Sequence, residues 1–452
     1  MIIFLLGSTY FRFPYKFNEI DRAVFKKSTK ISKLYTSMIF SFTPKPRCFI
    51  GAVQKESQVI INNVYLCLVL FVISKIAVGL TVNLYTEWLD IMSSLDKIAD
   101  SLPLVVSLAI VSYHAIYRKE LYNLMKYMND NFVFHSARGL TNMTMEQSYN
   151  AAKKFSRIYT ACTMFSVTIY AVLPFIVHKE PLQNWIYMDI TRAPYIQLTF
   201  LYTLISQWFV GLAMGQFGVF FAANSILICG QLDLLCCSLR NVRFTALLQS
   251  GVRHTALKAS HTEIQLDEQH SHVYNTAEMI DSNYHFDTKI FDDIYDNAYD
   301  AATVAALRDC ARLSQVVRTY KQKFEDFVSP LLVLRVVQVT MYLCTLLYAA
   351  TLKFDMITVE YLAAVALDIF VYCYYGNQII LQADRVSTAA YQSSWQTMGV
   401  RPRRVLLNLL LANLRPVVVR AGRFLPMDLH TFVVIIKTSF SYYTLLVNVN
   451  EK

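Results

Sequence analysis

Seven apolar stretches alternate with polar connections along this chain, at residues 64–82, 98–116, 155–177, 195–228, 327–352, 361–381 and 429–449. A bilayer core is about 30 Å thick and a helix rises about 1.5 Å per residue, so roughly 20 mostly apolar residues span it. Each stretch therefore predicts one transmembrane helix. The second is the most diluted, by Asp100, Ser101, Ser107, Ser112 and His114. The fourth is longer than a bilayer needs and is expected to continue as helix through GQLDLLCCSLRNV, residues 230–242.

The polar connections give the orientation, because Lys and Arg resist translocation and stay cytoplasmic. Segment 1–63 carries Arg12, Lys16, Arg22, Lys26, Lys27, Lys30, Lys33, Lys45, Arg47 and Lys55. The connections after the second, fourth and sixth stretches are also basic, whereas those after the first, third and fifth are acidic or near neutral. The expected fold is an all-α membrane protein of seven transmembrane helices with the N-terminus cytoplasmic and the C-terminus extracellular. That is the inverse of a G-protein-coupled receptor. Within the seven-span unit, 64–452, residues 236–326 read as a cytoplasmic loop, 382–424 as a helical cytoplasmic anchor and 429–449 as the closing helix. A one-sided apolar pattern predicts helix over 378–415.

Composition agrees with a membrane class: 55% of the 452 residues are hydrophobic and 16% charged, against roughly 45–50% and 25% in soluble domains. The net charge of +10 sits in blocks between apolar runs, so no basic face for nucleic acid is predicted. No pair among the nine cysteines falls in an outside loop, so no disulfide framework is implied. There is no GxSxG, P-loop, dinucleotide turn or Cys-x-x-Cys, and neither enzymatic activity nor a cofactor is expected. His254, His261, His270, His272 and His285 lie among acidic residues, but their spacing matches neither HExxH nor an EF-hand loop, so a solvated loop is expected and no metal site. The sequon at Asn142 falls on the cytoplasmic side. No half-to-half inverted repeat of the transporter kind is present.

The last fifth of the chain carries a more specific signal. It contains Asp368-Ile369-Phe370-Val371-Tyr372-Cys373-Tyr374-Tyr375-Gly376-Asn377, then Ala390-Tyr391-Gln392-Ser393-Ser394-Trp395, then Arg415-Pro416 and Ala421-Gly422. The series closes with Thr431-Phe432 and Lys437-Thr438-Ser439-Phe440-Ser441-Tyr442-Tyr443-Thr444-Leu445-Leu446. In order and spacing this resembles the insect odorant receptors, a seven-span family of ligand-gated cation channels. Two departures stand out. Segment 1–63 and the His-containing loop are long for the family, and DCARLSQVVRTY, residues 309–320, lacks the His common before the fifth span. The Thr-Tyr and Gln-Phe ending of the related gustatory receptors is absent.

The resemblance implies a tetrameric, non-selective cation channel whose last helix lines the pore. Leu445 and Val449 are four apart and share a helix face, with Asn448 beside them. An apolar ring can gate by dewetting, and amides offer carbonyl oxygens to ions. The implied ligand is a small volatile odorant, held among the outer halves of the second, third, fourth and sixth spans. There Ser166, Tyr170 and Leu173 share one face, and Phe200, Leu204, Gln207 and Trp208 another. Tyr391 and Trp395 are expected in the core of the anchor. The implied partners are the family's shared olfactory co-receptor, in a hetero-tetramer, and membrane lipid, with the protein multi-pass in the plasma membrane of the olfactory neuron dendrite. Lys75, Arg335 and Asp368 lie within spans, where ionisable groups are costly and often functional. A G-protein-coupled receptor, a transporter and a gustatory receptor are the competing readings.

Overall fold

The computed structural model describes residues 56–86, 91–137, 143–178, 195–251, 297–352, 356–393 and 395–450. Each predicted apolar stretch lies within one long helix. These are α1 (Glu56–Thr86), α2 (Ile91–Ile116), α4 (Glu146–His178), α5 (Tyr195–Arg240), α7 (Asp300–Leu352), α8 (Met356–Tyr391) and α10 (Leu429–Asn450). Three shorter helices, α3 (Arg118–Asn131), α6 (Val242–Gln249) and α9 (Val400–Asn413), two 3₁₀ turns at Asn297–Tyr299 and Trp395–Thr397, and a hairpin of two-residue strands, β1 (Arg420–Ala421) and β2 (Leu425–Pro426), complete the described elements.

By length and composition alone, Phe200–Arg240, Asp300–Leu347 and Leu362–Thr397 can cross a membrane among the described residues. Ser101–Ile116 and Arg118–Asn131, bent by 67°, make a fourth candidate when taken together.

At the centre stands α5, 46 residues long and buried on every side from Gly215 to Cys237. A helix apolar all round must be wrapped by others, and α4, α8, α2, α7 and α1 all pack against it. Its Phe217, Phe220 and Phe221 meet Phe324 and Phe327 of α7 and Tyr372 of α8 ring to ring. A smaller cluster joins α1 and α2 to the start of α5 through Val69, Ile73, Leu104, Val111, Val210 and Ala213. Mid-helix Lys75 holds its ammonium 5.2 Å from the ring centre of Tyr202, a cation–π contact that satisfies the charge locally.

The segment expected as a loop, 236–326, is helical at both of its described ends. The end of α5, all of α6 and the first half of α7 form a packed unit with α3, α8 and α9. Polar residues are paired inside it. Arg243 donates to Thr303 Oγ1 and to the Thr397 carbonyl, and faces Asp300 at 3.5 Å. Arg385 reaches Asp233 at 3.4 Å, and the Gln231 amide bonds both the N–H and the carbonyl of Val133. The His-containing stretch of this loop and Asn142 lie outside the described residues.

Two further expectations change. The helix predicted over 378–415 breaks between Tyr391 and Val400, where Trp395–Thr397 forms a single 3₁₀ turn. Tyr391 and Trp395 are therefore not on one helix, although their ring centres stay 6.0 Å apart; Tyr391 is 69% exposed. After α9 the basic stretch turns back as the hairpin, whose Ala421, like the flanking Val419 and Met427, is fully buried. Met427 N–H donates to the Val419 carbonyl, and Arg420 N–H to Glu325 of α7, which tie the start of α10 to the bundle. The eight described cysteines are free thiols.

Candidate functional site: a cavity among five helices

Close approach of α4 and α5 shapes the site. Gly211 and Gly215, one turn apart on α5, face Val167 and Thr163 of α4 so closely that a Cβ on either would collide with them. Small residues at this spacing let helix backbones meet without a layer of side chains between them. Beside this crossing opens a cavity of about 440 Å³, within the range of small-molecule pockets. Its wall takes Leu104 from α2, Val167 from α4, Val210 and Met214 from α5, Val339 from α7 and Ala364 from α8, and is mostly apolar.

A polar cluster interrupts that wall. Arg335 of α7 pairs through Nη2 with Asp368 of α8, and through Nη1 donates to Gln338 Oε1 and meets Met214 Sδ at 3.1 Å. Asp368 accepts a second bond from the Tyr159 hydroxyl at 3.0 Å. Tyr159, Arg335, Gln338 and Asp368 all line the cavity. Buried charges persist only when paired and hydrogen-bonded, and this pair draws its partners from three helices.

The sequence-derived pocket residues fall on both sides of this boundary. Ser166, Tyr170 and Gln207 line the cavity; Phe200, Leu204 and Trp208 do not. Trp208 instead donates its indole N–H to Thr168 Oγ1 at 3.1 Å. The side chain of Leu173 is outside the described residues. Sequence reasoning noted Arg335 and Asp368 as isolated ionisable groups and passed over Tyr159, Gln338 and Gly211. Opposite charges in consecutive apolar spans, and the Gly-x-x-x-Gly step at 211–215, were the available signals.

On α10, Thr431, Ile435 and Ser439 form the buried face, with the Ser439 hydroxyl bonded within its own helix and 3.4 Å from the Thr340 carbonyl of α7. Leu445, six residues beyond Ser439 where the helix end emerges from the bundle, is 58% exposed. The helix backbone runs through Asn448 and Val449, whose side chains are outside the described residues. No group of three or more metal-binding side chains occurs among the described residues.

The family model described as 7tm Odorant receptor matches residues 101–440 of this chain. The chain belongs to the odorant receptor family. Odorant receptor 85e of Drosophila melanogaster is 24% identical to this receptor over 371 residues, 79% of either chain. Odorant receptor 83a of the same organism is 24% identical over 352 residues, 75% of this chain and 77% of its own. Among solved structures, the insect olfactory receptor OR5 from Machilis hrabei, in complex with eugenol, superposes with a TM-score of 0.67 at 15% identity, covering 95% of this chain and 99% of that one. The receptor thus has the fold of an insect olfactory receptor and is an all-α membrane protein. Its relatives are receptors and not enzymes, and a G-protein-coupled reading is not favoured.

Proposed function

We propose that this receptor is the odorant-binding subunit of a heteromeric ligand-gated cation channel, assembled with the family's shared co-receptor in the plasma membrane of olfactory neurons. The observation that carries the reading is the cavity of about 440 Å³ between α2, α4, α5, α7 and α8, mostly apolar and holding one charged pair. A small volatile molecule buries its carbon body in such a wall. The Machilis receptor with the same fold was solved with eugenol, which supports a small organic ligand here.

The mechanism follows from what ligand binding can bias. Odorant in the cavity touches α7 and α8, which also pack against α10. A ligand that fits the open arrangement of these helices better than the closed one shifts the population toward it by its differential affinity. The exposed face of α10 is then the pore face, with Leu445, Asn448 and Val449 near its outer end. The packed unit of α6, α9, the hairpin and the first half of α7 is the cytoplasmic anchor, Tyr391 and Trp395 at its edge.

Whole-cell recording from cells expressing this chain with the co-receptor tests the proposal. Volatile-evoked cation currents that need both subunits are expected. Silence across a broad odorant panel, with the receptor labelled at the cell surface, would overturn it.

A further inference from the structure

One polar side chain in the cavity wall, Gln338, is short of a partner, and what it lacks names a ligand chemistry. Arg335 brings five N–H donors. Its Nη atoms reach Asp368, Gln338 Oε1 and the weakly accepting Met214 sulfur, and the Tyr372 hydroxyl lies beside the guanidinium. With its oxygen engaged by Arg335, Gln338 has its amide N–H group near only the Met214 sulfur, at 3.9 Å. Asp368 in turn accepts from Tyr159 at one oxygen and from Arg335 at the other. The Gln338 amide N–H group is thus left without a strong acceptor, and a buried donor in that state costs free energy.

The charges do balance. Arg335 and Asp368 cancel, so an ionised carboxylate ligand would add a net charge to an apolar, buried site, and an ammonium ligand would meet the guanidinium. Either is costly in a low-dielectric wall. We infer that the cavity selects an apolar odorant carrying one neutral hydrogen-bond acceptor, a ketone, aldehyde or ester oxygen, which takes its hydrogen bond from the Gln338 amide beside Arg335. Gln338 is then a specificity-determining residue, with Arg335 and Asp368 as the positioning pair that fixes its orientation. This deepens the proposed function and rests on it.

Two matched sets on fixed skeletons test the inference by recording from cells with the full chain and co-receptor. One compares 2-nonanone with nonane, nonanoate and nonylamine; the other compares acetophenone with ethylbenzene, benzoate and benzylamine. On any skeleton that evokes current, the carbonyl member is expected to be more potent than its hydrocarbon by on the order of tenfold, and the ions weaker still. In Gln338→Leu the carbonyl and hydrocarbon members should come within about threefold of each other. A wild-type hydrocarbon or ion as potent as the carbonyl overturns the inference, a comparison that does not depend on the variant folding. An active carbonyl whose advantage survives Gln338→Leu overturns the role of Gln338. Activation by unrelated odorants, with both sets silent, overturns the ligand class and leaves the receptor reading standing; silence to every odorant removes the receptor reading itself.

Discussion

Arg335 of α7 and Asp368 of α8 form an ion pair inside the cavity wall, their side chains only 5% and 13% exposed. Removing one member leaves the other charge largely buried without its partner. Asp368→Leu is expected to destabilise the receptor by about 3–5 kcal/mol, whereas Arg335→Met with Asp368→Leu removes both charges and should recover most of that loss. Thermal unfolding of detergent-purified receptor reads both values. A single variant as stable as wild type would show that the pair does not form.

The crossing of α4 over α5 depends on absent side chains. A Cβ at Gly211 would sit 2.4 Å from Val167 Cγ2, and one at Gly215 would sit 2.8 Å from Thr163 Cγ2. Gly211→Ala should cost about 1–3 kcal/mol through overpacking. Trimming the obstacle with Val167→Ala in the same chain should restore part of it, a coupling that a double-mutant cycle measures. Additive effects would mean that the two helices do not meet at this step.

Gly376, in the Tyr374-Tyr375-Gly376-Asn377 run of α8, makes a different kind of contact. A Cβ there would lie 2.1 Å from the carbonyl oxygen of Met427, just before α10. Backbone cannot rotate away as a side chain can, so Gly376→Ala is expected to cost more than Gly211→Ala, above about 3 kcal/mol. The same unfolding assay ranks them. Equal costs would show that the chain before α10 can shift freely.

Apolar length made the seven long helices legible, because a bilayer-sized run of apolar residues leaves few alternatives. The same rule hid α3, α6 and the first half of α7. Leu121, Leu124 and Met128 of α3 are buried, but Arg118, Lys119, Glu120 and Lys126 surround them in sequence and lower the apolar average. Arg243, within the segment that read as loop, and Asp233, on the expected continuation of the fourth span, are held by partners more than 50 residues away along the chain. Helical stripes brought Ser166, Tyr170 and Gln207 into consideration, yet a stripe carries no depth. The cavity reaches down α5 to Gly211, Met214 and Gly215, beside the close crossing that the two glycines permit. Hydropathy has no term for an absent side chain.

The last prediction concerns α10. Its packed face is fixed by Thr431, Ile435 and Ser439, and Leu445, beyond the end of that contact, is 58% exposed in the single subunit. An exposed leucine at this place can meet lipid, another subunit or a water-filled pore, and the three differ in what truncation does. Against lipid, Leu445→Ala changes little, since alanine is also apolar. Within a subunit contact it weakens assembly and lowers the amount of complex recovered. At a dewetting constriction it widens the narrowest ring, so leak current without odorant should rise and ion selectivity should change, with assembly intact. The pore assignment therefore expects raised basal conductance in cells carrying Leu445→Ala with the co-receptor, at unchanged surface level. Wild-type basal current and wild-type permeability ratios would remove Leu445 from the pore.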